Sequence, residues 1–174
     1  SEGDLTSAVD VLNAVASQAS SILFRELARC NIAYINNLQG DFNSALLEIE
    51  KVLNSEITQE EAKLRVTFWV NGSMIPDPSP VPGRDLSIEE CALSCAVSSA
   101  IAIGDLELGT RYANKLKEIS NNQTIIDMVL GTLKLKKGNI ELAKQLWTDA
   151  QKSATLETDR TALDRWLEIS NLVF

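Results

Sequence analysis

The chain has 174 residues, of which 16 are basic, 24 are acidic and none is histidine, so its net charge is −8. This excess of negative charge repels a phosphate backbone, which argues against nucleic acid as a partner. No apolar run approaches the roughly 20 residues of a membrane-spanning helix, and the N-terminus lacks the residue order of a signal peptide, so neither membrane insertion nor secretion is expected.

Apolar residues recur at helical spacing through the first third of the chain. They predict one helix over residues 5–15, a second over 22–38 and a third over 42–53. Thr58 followed by Glu61 is a capping-box pair and predicts a fourth helix that runs to about Val70. Its end, "RVTFWV", is rich in β-forming residues and is the weakest part of the helical prediction.

All four prolines fall in one short segment, "MIPDPSPVPG", at residues 74–83. Alternating prolines fix φ and remove amide donors, so this segment cannot be a helix or an inner strand. We expect a semi-rigid spacer between helices. The alternative is a ligand for an aromatic groove on another protein.

The second half of the chain is predicted to be helical again. Ser87 with Glu90 forms another capping-box pair and opens a helix that reaches about Ile103. Further helices are predicted at about 106–118, 124–136, 140–152 and 156–172. Nine helices and no convincing strand predict the all-α class.

A short motif recurs along the chain. Residues 138–143 read "GNIELA" and residues 104–109 read "GDLELG", so the two glycines lie 34 positions apart. The form returns as "GDFNSA" at 40–45 and as "GDLTSA" at 3–8. A glycine that closes one helix, followed by a small residue early in the next, predicts repeated helix–turn–helix units.

This pattern resembles the tetratricopeptide repeat, a helical pair of 34 residues. Alignment on Gly40, Gly104 and Gly138 assigns twelve positions to the packing of the first helix on the second: Ala33, Ala45, Ile49, Val52, Val97, Gly109, Ala113, Leu116, Gly131, Ala143, Trp147 and Ala150. The resemblance implies an α-solenoid of antiparallel helix pairs wound into a right-handed superhelix.

The resemblance also divides the chain into units. The first is the second helix of a truncated repeat, because the chain opens within a repeat and is expected to be a fragment of a longer protein. A repeat, an irregular joint with the Pro-rich loop, a divergent repeat, another repeat and a capping helix follow. The six units span residues 1–20, 21–54, 55–86, 87–120, 121–153 and 154–174.

Catalytic and metal-binding residues are sparse. General acid–base catalysis commonly uses histidine, which is absent, and no phosphate-binding loop or nucleophile motif occurs. Cys91 and Cys95 share a helical face, but with Cys30 as the sole further cysteine no tetrahedral site is complete. We therefore expect no enzyme activity, metal, cofactor or small-molecule substrate, and three free thiols in a cytoplasmic or nuclear protein.

Two kinds of binding protein remain: a scaffold subunit of a multiprotein complex, and a co-chaperone-like module that captures acidic C-terminal peptides. In the repeat family, inward positions of the first helices line a concave groove that binds other proteins. The matching positions are Leu27, Asn31, Tyr34, Leu38, Cys91, Cys95, Ser98, Ala102, Ile125, Val129, Thr132 and Lys136. Only Asn31 and Lys136 suit a carboxylate, so the mostly apolar set favours a scaffold that binds a helical or extended apolar segment. The alternative is that several of these residues are simply core.

Overall fold

The computed structural model describes residues 2–57, 65–68 and 84–173. Within these ranges the chain forms eight helices and one pair of short strands. In chain order they are α1 (Glu2–Gln18), α2 (Ile22–Gln39), α3 (Phe42–Leu53), β1 (Arg65–Phe68), β2 (Arg84–Ser87), α4 (Ile88–Ala102), α5 (Leu106–Ile119), α6 (Gln123–Lys136), α7 (Ile140–Ser153) and α8 (Glu157–Val173). The predicted all-α class is confirmed for these residues, apart from the strand pair.

The three repeated glycines occupy the same structural position. Gly40, Gly104 and Gly138 have φ values of 80°, 84° and 78°, the left-handed conformation that closes a helix. No other residue in the described ranges has a positive φ. Each glycine follows the first helix of a pair, so α2 turns into α3, α4 into α5 and α6 into α7 by the same chain reversal.

The residue after each glycine caps the second helix of its pair. Asp41, Asp105 and Asn139 each accept a hydrogen bond from the backbone N–H three positions later, at 3.1, 2.9 and 3.3 Å. The side-chain oxygen thereby satisfies an amide at the helix N-terminus that has no partner within the helix. In each recurrent Gly-Asp or Gly-Asn pair, the glycine therefore ends one helix and the next residue begins the following helix.

Helix packing follows the order of the chain. The two helices of each pair pack on each other, and the second helix of one pair packs on the first helix of the next. The first helices also contact one another, α2 with α4 and α4 with α6, while α1 packs on α2 and α8 on α7. All twelve positions assigned by the alignment on the three glycines are buried.

The segment between α3 and α4 corrects the sequence prediction in part. Residues 65–68 form a strand and not the end of a helix, and they pair antiparallel with residues 84–87, Arg65 opposite Ser87 and Phe68 opposite Arg84. Valine, threonine and phenylalanine favour extended backbone, and a strand needs a distant partner that local periodicity does not show. The rest of the predicted fourth helix and the Pro-rich loop at 74–83 lie outside the described residues.

The second capping-box prediction is confirmed at the start of α4. The Ser87 hydroxyl accepts from the Glu90 amide at 3.1 Å, and the Glu90 carboxylate accepts from the Ser87 amide at 2.7 Å.

Among the helices of the described ranges, none combines the length and apolarity needed to span a bilayer.

Candidate functional site

The predicted inward residues lie on α2, α4 and α6, and their burial differs. Tyr34 on α2, Ser98 on α4 and Lys136 on α6 are exposed. Six others are half-buried: Leu27, Asn31, Cys91, Cys95, Val129 and Thr132. Leu38 on α2 and Ala102 on α4 are exposed as well, so the inward set reaches the surface on all three helices, and its exposed large apolar members, Tyr34 and Leu38, both lie on α2.

Ile125 is a correction to the predicted groove. Its side chain is only 3% exposed and belongs to the main apolar core, so it cannot contact a partner. Val129, one turn later, is half-buried and packs against the same core. The first turns of α6 are therefore rotated into the protein further than the repeat alignment predicted.

Helix α2 carries a continuous stripe that defines the candidate site. Its residues follow alternating steps of three and four: Phe24, Leu27, Asn31, Tyr34 and Leu38. Phe24 is 59% exposed, Tyr34 38% and Leu38 57%, while Leu27 and Asn31 are half-buried. Phe24 was missed by the sequence analysis, although the same spacing extended one step toward the N-terminus reaches it.

The helices beside the stripe are α1 and α4. On one side, Ala28 and Ile32 are buried in a cluster with Leu12, Val15 and Ala16 of α1. On the other side, the Cys30 thiol lies 3.9 Å from the Ile88 carbonyl oxygen of α4. At 100° per residue the stripe falls between these two contact faces. We call the stripe and its flanking helices the α2 groove.

A partly buried polar contact ties α2 to α4. The Asn37 side-chain amide donates to the Cys95 sulfur at 2.9 Å and to its carbonyl oxygen at 3.4 Å. The hydroxyl of Ser99, which is fully buried, donates to Asn37 Oδ1 at 2.7 Å. Because buried polar groups are costly to leave unpaired, these bonds fix how the two helices meet.

Two thiols near this contact, those of Cys30 and Cys95, have raised pKa values that favour the protonated state. Burial raises the pKa of Cys95 to about 12, with a further contribution from Cys91. A hydrogen bond with Cys91, together with burial, raises the pKa of Cys30 well above its ordinary value. Thiolates are the nucleophilic and metal-binding form, so this environment does not favour either chemistry. In the described ranges no group of three or more His, Cys, Asp or Glu side chains is arranged to hold a metal.

Polar side chains of the inward set bond to their own helices. Asn31 Nδ2 donates to the Leu27 carbonyl oxygen at 2.8 Å, and Ser98 and Thr132 hydroxyls donate to carbonyl oxygens four residues earlier at 3.2 and 3.0 Å. A hydroxyl or amide N–H that bonds to its own helix is not available to donate a hydrogen bond to a ligand. The surface offered to a partner is thus less polar than its residue names indicate.

The charge of the flanking helices is one-sided. The α1 segment contains Glu2, Asp4 and Asp10 and no lysine or arginine. The α4 segment contains the exposed Glu89 and the buried Glu90 and no basic residue. Lys136, the cation of the predicted inward set, lies on α6 and is exposed. The α2 groove is therefore an apolar stripe flanked by helices of acidic composition.

No protein-family model matches the chain, and neither a curated protein nor a solved structure matches it.

Proposed function

We propose that the chain is a tetratricopeptide-like stack of helix pairs that acts as a non-enzymatic scaffold in a multiprotein complex. The three glycine turns at matching positions and the burial of all twelve aligned residues support the repeat assignment. The three free thiols suit a cytoplasmic or nuclear protein. In this proposal the α2 groove binds an apolar segment of another subunit.

The observation that carries the proposal is the exposure of large apolar side chains in one line. Phe24 and Leu38 each leave more than half of their surface accessible, and they lie on the same face of α2 as Tyr34. A solitary exposed apolar residue needs no explanation, but an aligned set beside packed helices marks a surface for a partner.

The tail-capturing alternative fits this site less well. A clamp for a terminal carboxylate needs several donors and cations, whereas one of the two Asn31 amide N–H groups donates to Leu27 and α1 and α4 contain no lysine or arginine. Burial of apolar surface on the α2 groove needs neither.

The test compares variants of the full protein in a quantitative affinity purification from its native cells. Phe24→Asp combined with Leu38→Asp places two charges in the α2 groove, while Leu47→Asp alters a leucine on α3 with the same 59% exposure as Phe24. The proposal predicts proteins that are retained by wild type and by Leu47→Asp but lost from the double variant, with unchanged circular dichroism. Identical retention by all three would overturn it.

A further inference from the structure

Resting on the proposed function, we infer that the α2 groove takes an amphipathic helix with basic flanks, which packs on α2 in the manner of a coiled coil. The spacing of the stripe is the first reason. Residues 24, 27, 31, 34 and 38 are separated by three, four, three and four positions, which is the a and d pattern of two heptads. An extended peptide has a period of two and gains nothing from such a line.

Asn31 supplies the second reason. It is the polar member of the stripe and stands at its centre, at an a position if Phe24 is taken as the first a. A single asparagine at an a position sets register and partner number in coiled coils, at some cost in stability. One N–H of its amide donates to the Leu27 carbonyl oxygen at 2.8 Å, which leaves Oδ1 as an acceptor for a polar side chain of the partner.

Charge complementarity gives the third reason and selects the partner's chemistry. The positions that flank a coiled-coil seam lie next to the neighbouring helices, here α1 and α4, and neither helix contains a lysine or arginine. A partner helix with lysine or arginine on either side of its apolar seam therefore meets no cation on α1 or α4, whereas an acidic one faces helices whose charged residues carry its own sign. The stripe spans residues 24–38, so at about 1.5 Å per residue it matches about four turns of a partner helix.

The probe is a labelled synthetic peptide of about three heptads, with leucine at a and d, one central asparagine at a, and lysine on both flanks. Two matched peptides serve as controls. One carries glutamate on the flanks, and the other has the composition of the probe with its heptad spacing scrambled. Fluorescence anisotropy with the full chain gives the three affinities, and sedimentation velocity reports whether the chain alone self-associates.

We expect the basic heptad peptide to bind about tenfold or more tightly than either control. Phe24→Asp and Leu38→Asp should each weaken that binding by about tenfold, and Leu47→Asp should leave it unchanged. The inference would be overturned if the acidic peptide bound as tightly as the basic heptad peptide. It would also be overturned if the scrambled peptide bound as tightly as the basic heptad peptide. A dimer of wild type that Phe24→Asp dissociates would overturn it too, because the occupant would then be a second copy. In either case the proposed scaffold function stands or falls separately, on the purification described above.

Discussion

Gly131 on α6 and Trp147 on α7 fit together because the glycine has no side chain. A Cβ at Gly131 would lie 2.5 Å from Cδ1 of Trp147, far inside van der Waals contact. The indole Nε1 also donates to the Met128 carbonyl oxygen at 3.3 Å, which fixes the ring in place. This contact joins the two helices of the third pair at the centre of their interface.

Gly131→Ala should therefore destabilise the protein, although alanine is the better helix former by about 1 kcal/mol. We expect a net loss of about 1–3 kcal/mol in the free energy of unfolding, since the tryptophan must move. Gly109→Ala is the matched control, because a Cβ there meets its nearest neighbour, Leu133 Cδ1, at 3.4 Å. Urea denaturation should find the control neutral or slightly stabilised, and equal effects at both sites would contradict the packing described.

Glu26 and Glu90 are both buried carboxylates, but their surroundings differ. Glu26 is 3% exposed, its Oε2 has no hydrogen-bond partner, and burial raises its pKa above the ordinary 4.5 against the opposing effect of Arg29 and Arg25. Both oxygens of Glu90 accept hydrogen bonds, from the Ser87 amide at 2.7 Å and the Ser120 hydroxyl at 2.6 Å.

Glu26→Gln should stabilise the protein at neutral pH and lose that advantage in acid. The unfolded chain releases the Glu26 proton near its ordinary pKa and the folded chain at a higher pH, so the native state loses stability as pH rises through that interval. Denaturation at about pH 7 and about pH 4 measures the difference. An equal effect at the two pH values would rule out ionisation as the cause.

Glu90→Met provides the comparison, since it roughly keeps the length of the side chain but removes both acceptors and leaves the Ser87 amide and the Ser120 hydroxyl without these partners. We expect a loss of about 1–3 kcal/mol from the broken capping box. Thermal and urea unfolding of this variant should move opposite to Glu26→Gln at neutral pH. A gain in stability at Glu90 would contradict the hydrogen bonds assigned to it.

The sequence predicted residue roles correctly where these roles depend on contacts between the two helices of one pair. The alignment placed Gly131 and Trp147 at facing positions, and both are buried. It did not predict that Ile125 turns into the core or that Phe24 stays exposed. The rotation of a helix depends on all its neighbours, and a repeat pattern gives only the pairwise part of that packing.

At the scale of elements, the glycine and Asx turns decide where helices end and begin. Asp105→Ala should cost about 0.5–2 kcal/mol, because the Leu108 amide loses the partner it now has at 2.9 Å. Asp105→Asn keeps an oxygen in the same place and should retain most of the stability. If both variants unfold at the same denaturant concentration, the cap contributes nothing and the repeated motif has another cause.

The strand pair shows the limit of local prediction for elements. Helix starts at Ser87 and after the three glycines were predicted correctly because their signals lie within a few residues. The strand at residues 65–68 pairs with residues 84–87, almost twenty positions away. Its β-forming residues were visible in the sequence, but the preceding Thr58 and Glu61 favoured a continued helix.

For the whole molecule, each described helix packs on the next one along the chain, from α1 to α8. The ring centroids of Trp147 and Trp166 lie 5.5 Å apart, and this contact joins α7 to α8. The hydrogen bond from Asn37 to the Cys95 sulfur joins α2 to α4. The repeat interval predicted this order of contacts, because each glycine turn forces its two helices to be neighbours. The exposed stripe on α2 was predicted only in part, since exposure depends on what the flanking helices cover.

The most direct test of the central claim, that the α2 groove binds through apolar burial, is a salt titration of binding to the subunit that the purification retains. Affinity should fall by no more than about tenfold between about 0.1 and 1 M salt, because ions screen the charges on the flanks of the partner but not the apolar contacts. It should be lost in Leu38→Asp and preserved in Lys136→Ala. An affinity that collapses with salt and with Lys136→Ala, while Leu38→Asp binds normally, would contradict the claim and support capture of acidic tails instead.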